Sequence, residues 1–152
     1  MMGGKSLFRD QRGAAIIELA IIAPIMATML IGMVDLGRGY STKLMLEQAA
    51  QRAIEKVMNG QAEASGSLAS LKTEAADVAI VPESNVTVKA WHECANVATT
   101  NYTDTCSTGQ VDRRYLSVSI SKTFTPIFAL KFAGANVDGT YTVTGKTGVR
   151  TQ

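Results

Sequence analysis

An uninterrupted apolar stretch near the N-terminus constrains this chain more than any other feature. Residues 14–34 read AAIIELAIIAPIMATMLIGMV and contain a single charged residue, Glu18. As a helix the stretch would extend about 31 Å at roughly 1.5 Å per residue, against a hydrocarbon core of roughly 30 Å. A core helix of a soluble protein rarely needs so long a run without a polar face, and the apolar part of a cleaved secretory signal is shorter, roughly 7–15 residues. The run therefore predicts a retained transmembrane helix.

The residues before this run predict how the chain is oriented. Residues 1–13, MMGGKSLFRDQRG, carry Lys5, Arg9 and Arg12 against Asp10. Short basic segments beside a membrane helix stay in the cytoplasm. We therefore expect a single-pass protein of the bacterial inner membrane, with a cytoplasmic N-terminus and a periplasmic C-terminal domain.

The start of the apolar run also has a distinctive order of residues. Basic residues lead to Gly13, then to Ala14-Ala15-Ile16-Ile17-Glu18, and Pro24 follows inside the run. This order resembles the N-terminus of type IV prepilins. The wider stretch RGAAIIELAIIAPIMATMLIGMVDLGRGYSTKLMLEQAAQRA is similar to TadE-like proteins, the minor pseudopilins of tight-adherence (Flp) pili. Ala14 stands where many other pilins carry Phe, which favours the TadE-like branch.

The resemblance implies a structural role. The chain would be a minor pilin needed to assemble a tight-adherence (Flp, type IVc) pilus, and it could enter the extracellular fibre. Residues 1–13 would be a leader that a prepilin peptidase removes between Gly13 and Ala14. The implied partners are that peptidase, other pilus subunits, assembly-platform proteins and the inner membrane; no cofactor is implied.

Elementary electrostatics predicts that Glu18 pairs with a cation of a neighbouring subunit during assembly. Cutting after Gly13 would free an α-amine on Ala14, with a pKa of roughly 8 in water. An ammonium and a carboxylate at the membrane edge are complementary, so pairing between neighbouring subunits would set their axial register. Solvation of Glu18 by lipid headgroups is the simpler alternative. Pro24 lacks an N–H group and predicts a kink or local melting over residues 20–24.

The remainder of the sequence predicts an α+β domain on a helical stem, in the lollipop-like form of pilins. Helical spacing continues over residues 35–58, and Asn59-Gly60 is a typical helix end. Residues 59–152 would form the head: a loop at 61–67, a short helix at 68–80, and three strands of alternating pattern near residues 86–90, 116–122 and 140–144. We expect these strands to form a small antiparallel sheet packed on the stem.

Cys94 and Cys106 bracket a polar segment after the first predicted strand. Outside the cytoplasm they should form a disulfide that closes the 94–106 loop. Two alternatives remain open at this point: a reactive thiol, and a metal site in which His92 joins both cysteines. The latter matches no known zinc spacing.

Composition and motifs favour a non-catalytic protein. The chain has one histidine, and it contains no nucleotide-binding loop, zinc-protease motif or nucleophile-elbow motif. The net charge of +2 is spread along the chain, which argues against a nucleic-acid partner. The alternative function is a permanently anchored periplasmic binding or sensory module.

Overall fold

The fold consists of one very long helix, one short helix and a four-stranded sheet. The computed structural model describes residues 11–59, 68–99, 102, 104–127 and 134–151. The helices are α1 (Gln11–Met58) and α2 (Leu68–Ala79), and the strands are β1 (Val86–Cys94), β2 (Val97–Ala98), β3 (Asp112–Phe124) and β4 (Tyr141–Arg150). This confirms the predicted α+β class. Most of the expected leader and the expected 61–67 loop lie outside the described residues.

The stem helix ends where the sequence predicted, at Met58, and Asn59 donates its N–H group to the Glu55 carbonyl at 3.0 Å. The helix also continues without interruption through Pro24. The expected local melting over residues 20–24 is therefore wrong for this structure. Thr28 Oγ1 donates to the Pro24 carbonyl at 2.7 Å. Proline is tolerated in apolar helices where nearby hydroxyl groups and neighbouring helices satisfy the freed backbone.

The sheet is antiparallel, in the order β2-β1-β3-β4. The pairs Val88–Val118 and Ala90–Leu116 fix the register of the two central strands, and both pairs face the hydrophobic core. The three predicted strands are present but are longer than the alternating patterns that indicated them. The two-residue strand β2 was not predicted, since its length is too short for any periodic signal.

The core lies between the upper half of α1, α2 and one face of the sheet. Six alanines contribute to it, which lets the helices and the sheet approach closely. The core side chains are Leu46, Ala49, Ala50, Ala53, Ile54, Leu71, Ala75, Ala76, Ala79, Val86, Leu116, Val118 and Ile120. An ion pair between Lys56 and Glu74 joins α1 to α2 at the edge of this core.

Strand β4 meets the stem backbone to backbone at Gly145. A Cβ atom placed on Gly145 would lie 2.5 Å from the Glu47 nitrogen and 2.5 Å from the Leu46 carbonyl carbon. No real side chain tolerates such contacts, so only glycine lets the strand come this close to the helix. Gly145 also pairs with Ile120 of β3. The close approach of Gly145 to the stem therefore fixes the position of β3 as well.

Helix α2 ends in a Schellman motif that has an unusual residue at its C′ position. Ile80 has φ +54°. Its N–H group bonds to the Asp77 carbonyl at 3.2 Å, and the Val81 N–H group bonds to the Ala76 carbonyl at 3.0 Å. Glycine is the common residue at this left-handed position, where a β-branched side chain is strained.

Candidate functional site

The N-terminal half of α1 projects from the domain with its apolar side chains uncovered. No residue from 15 to 34 is buried. A core helix of a soluble protein would bury at least one face, and none of the described residues covers this stretch in that way. The helix is long and apolar enough to span a membrane. Its exposed large apolar residues within this half are Ile16, Ile17, Leu19, Ile21, Ile22, Ile25, Met26, Met29, Leu30, Met33 and Val34.

The residues of the expected processing and register site lie at the start of this exposed half. Gly13 is exposed, and a Cβ atom built on it meets nothing within 4 Å. Glu18 is also exposed and has no polar partner among the described residues. Both residues are thus exposed with respect to the part of the chain that the structure describes. Cleavage after Gly13 and pairing of Glu18 remain predictions.

A buried carboxylate, Asp35, lies one residue beyond the exposed apolar half. It is 9% exposed, and each of its two oxygens accepts the Ile127 N–H group at 2.9 Å. Arg38, one turn further along the stem, donates to Asp35 Oδ1 at 3.2 Å. Asp35 therefore ties the segment after β3 to the stem, directly after the stretch in which no residue is buried.

Phe124 completes this junction, to which we refer as the stem clamp (Asp35, Arg38, Gly39, Phe124 and Ile127). The Arg38 guanidinium lies 5.5 Å from the centre of the Phe124 ring, within the range of a cation–π contact. A Cβ atom on Gly39 would lie 3.8 Å from the same ring. Sequence reasoning missed the clamp because Asp35 and Ile127 are 92 positions apart.

The second cluster of reactive side chains surrounds His92, at the far end of the sheet. Cys94 and Cys106 are joined by a disulfide, with their Cα atoms 5.5 Å apart. His92 is completely buried; its Nε2 lies 2.7 Å from Asp112 Oδ1 and 3.3 Å from Cys106 Sγ. Since a carboxylate only accepts, Nε2 carries the proton of the bond to Asp112.

The geometry around His92 decides between the alternatives for the cysteines. Ligand atoms of His92, Cys94 and Cys106 do lie within 4.8 Å of one another. However, metals bind cysteine as the thiolate, and thiolates are also the nucleophilic form. Sulfurs that are bonded to each other are not thiolates, so they can neither bind a metal in this form nor act as nucleophiles. The arrangement is therefore structural. The backbone of β1 also holds the start of the 94–106 loop: Thr99 donates its N–H group to the His92 carbonyl at 2.8 Å.

Comparison with known proteins finds one similarity. Residues 13–54 match the family model described as "TadE: TadE-like protein". The matched range contains the Gly13–Glu18 segment, the exposed apolar half of α1 and three residues of the stem clamp, but nothing of the sheet. No curated protein and no solved structure matches the chain.

Proposed function

We propose that this chain, TadE-like over residues 13–54, is a minor pilin that helps assemble a tight-adherence (Flp) pilus. Residues 14–34 would hold it in the bacterial inner membrane, with the head in the periplasm. One observation carries the proposal: the matched segment contains an apolar stretch, residues 15–34, in which the domain buries no residue. Such a helix requires a lipid or protein environment, and a pilus subunit uses both in succession.

Processing after Gly13 is the first step of this proposal. Removal of residues 1–13 would delete Lys5, Arg9 and Arg12 and would leave the α-amine of Ala14 as the nearest cation. Glu18 is exposed and unpartnered within the described residues, so its carboxylate is available to a neighbouring subunit. Because an unpaired carboxylate is costly in lipid, the amine–carboxylate pair would favour one axial register.

Pro24 would ease the transfer of the helix from lipid to the fibre. Proline cannot donate to the carbonyl four residues earlier, which here belongs to Ala20. The helix is continuous at this point, but it lacks one hydrogen bond of the ladder. A helix with such a weak point can bend locally as its surroundings change, while the Thr28 hydroxyl still holds the Pro24 carbonyl at 2.7 Å.

N-terminal sequencing of the membrane-resident protein tests the proposal. We expect the mature chain to begin at Ala14. In Gly13→Val the chain should keep its leader, and cells should lose pili. The matched control is Gly4→Val, also within the leader, which should be processed normally.

A chain that keeps Met1 in piliated cells, or a Gly13→Val variant that assembles normal pili, would contradict the proposal. If the membrane-resident chain keeps its leader and its deletion leaves piliation unchanged, the anchored binding or sensory module would be favoured.

A further inference from the structure

The sheet face that points away from both helices carries a stacked aromatic pair. Trp91 and Tyr115 are directly opposite each other on β1 and β3, with ring centres 5.2 Å apart and planes inclined by 14°. Both rings are half-buried. Because α1 and α2 pack on the other face of the sheet, no described element covers this one, which we call the outer face. Apart from the aromatic pair, β1, β3 and β4 carry mainly serine, threonine and charged residues on this face, which suits a polar partner.

Positive charge is concentrated on the outer face. Strand alternation places four bases there against one acid, Glu93, although the whole chain has a net charge of only +2. The bases are Lys89, Arg113, Lys146 and Arg150. Glu93 is already engaged, because it accepts the Trp91 indole N–H at 3.1 Å. The face therefore offers excess positive charge beside the rings.

The strand register places hydroxyl groups between these charged side chains. Ser119 is half-buried and lies opposite both Thr87 and Lys146, which are exposed. Ser117, between Lys89 and Gly148, is only 6% exposed and lies beneath these groups. Hydroxyl groups donate and accept hydrogen bonds, as sugar hydroxyls do. Aromatic faces pack against the C–H groups of sugar rings, and exposed lysines attract carboxylates. Sugar rings that bear carboxylates offer all three of these groups: hydroxyl groups, C–H faces and negative charge.

A nucleic acid fits this face less well. Its binding relies on many phosphate contacts, which need a continuous basic stripe or groove. Here the cations lie around a floor of serine, threonine and glycine instead of in a row, as the positions of Lys89 and Lys146 on either side of β3 show.

We propose that the outer face binds an acidic polysaccharide, a polymer of uronic acid sugars, with its sugar rings on Trp91 and Tyr115 and its carboxylates on Lys89 and Lys146. Neither lysine has an ion-pair partner among the described residues. This inference does not depend on the function proposed above, since the outer face lies wholly outside residues 13–54.

Fluorescence titration of the full chain in detergent micelles tests the proposal. Trp91 is the only tryptophan of the chain, so its emission reports on this face alone. Polygalacturonate should produce a saturable change that weakens as salt is added, because charge contacts are screened. Dextran, a neutral glucose polymer, should produce none at the same concentration. Equal binding of dextran, or no response to polygalacturonate, would overturn the proposal.

Charge variants locate the contact. The double variant Lys89→Gln with Lys146→Gln should bind polygalacturonate about tenfold more weakly or worse, equivalent to roughly 1.4 kcal/mol. Arg52→Gln, which removes an exposed base on α1, is the matched control and should bind normally. Thermal unfolding of all three proteins verifies that they are folded. Unchanged affinity of the folded double variant, or tighter binding of a single-stranded DNA oligonucleotide than of polygalacturonate, refutes the assignment.

Discussion

Asp35 on the stem accepts the backbone N–H group of Ile127 with both carboxylate oxygens, at 2.9 Å each. The contact connects the last exposed turn of the apolar helix with the segment that leaves β3. It is buried, and Arg38 donates to the same carboxylate. The stem and the head are therefore joined at the base of the domain as well as along its core.

Replacement of Asp35 by Ala should weaken this junction. The Ile127 N–H group would lose its acceptor, and hydrogen bonds to charged groups contribute about 1.5–3 kcal/mol. We expect the free energy of unfolding to fall by about 2 kcal/mol, and limited proteolysis near residues 125–134 to accelerate. Glu55→Ala removes an exposed acid of the same helix and should leave both measurements unchanged. Equal stability of Asp35→Ala and Glu55→Ala would show that the clamp has no energetic role.

Glu18→Gln should separate membrane insertion from assembly. The amide keeps the size of the side chain but cannot form an ion pair with the amine of Ala14. We expect normal fractionation with membranes and normal processing, together with at least a tenfold loss of the subunit from sheared pili, corresponding to about 1.4 kcal/mol. Glu18→Asp, which keeps the charge, serves as the matched control and should retain part of the incorporation. Incorporation of Glu18→Gln at the normal level would rule out pairing.

Gly145→Ala should destabilise the head strongly. The new methyl group would lie 2.5 Å from backbone atoms of residues 46 and 47, and main chain cannot move aside as a side chain can. Overpacking of this kind costs about 1–3 kcal/mol or more. Gly148→Ala, in the same strand, meets its nearest atom at 3.3 Å and should cost less than about 1 kcal/mol. Chemical denaturation of both variants gives the comparison, and equal losses would contradict the close approach.

Ile80→Asn should stabilise the protein. The left-handed conformation at φ +54° is strained for a β-branched residue and costs about 1–2 kcal/mol, whereas asparagine adopts it readily. Ile80 is 78% exposed, so little apolar burial is lost. We expect a gain of about 1 kcal/mol in unfolding free energy. Ile80→Val keeps the branched side chain and should give no gain; a similar rise in both variants would remove the argument from strain.

Reduction of the Cys94–Cys106 disulfide should lower stability by about 3 kcal/mol, on the chain-entropy estimate for a loop of this length. The two cysteines are the only ones in the chain, so a reductant acts at this bond alone. The measurement is the unfolding midpoint with and without dithiothreitol. A Cys94→Ser/Cys106→Ser variant, already without the bond, is the control and should not respond to the reductant. An unchanged midpoint of the parent protein would contradict the estimate.

Sequence periodicity predicted elements but not the contacts between distant ones. Alternation in Val86, Val88 and Ala90 identified β1 and its buried face, because period-two patterning reflects burial of one side. The same parity, extended two residues, would have placed His92 on the buried face, where the structure has it. By contrast, nothing local distinguishes Asp35 from a solvated acid, since its partner is a backbone N–H group far along the chain.

At Pro24 and Gly145 the sequence could not predict the local structure, for a different physical reason. Proline removes one hydrogen bond, and propensity alone cannot say whether the remaining ladder holds; in this helix it does. Glycine in a strand indicates a bulge, a bend or a close backbone approach with equal force. Only the packing of β4 on the stem shows that Gly145 serves the third purpose.

The stem clamp has a mechanical consequence. The clamp binds the turn that directly follows residues 15–34, so no unattached part of the stem lies between the apolar segment and the end of β3. Axial tension on the N-terminal half of α1 would therefore reach Phe124 and the end of β3 at once, so the head would follow the base of the stem without delay.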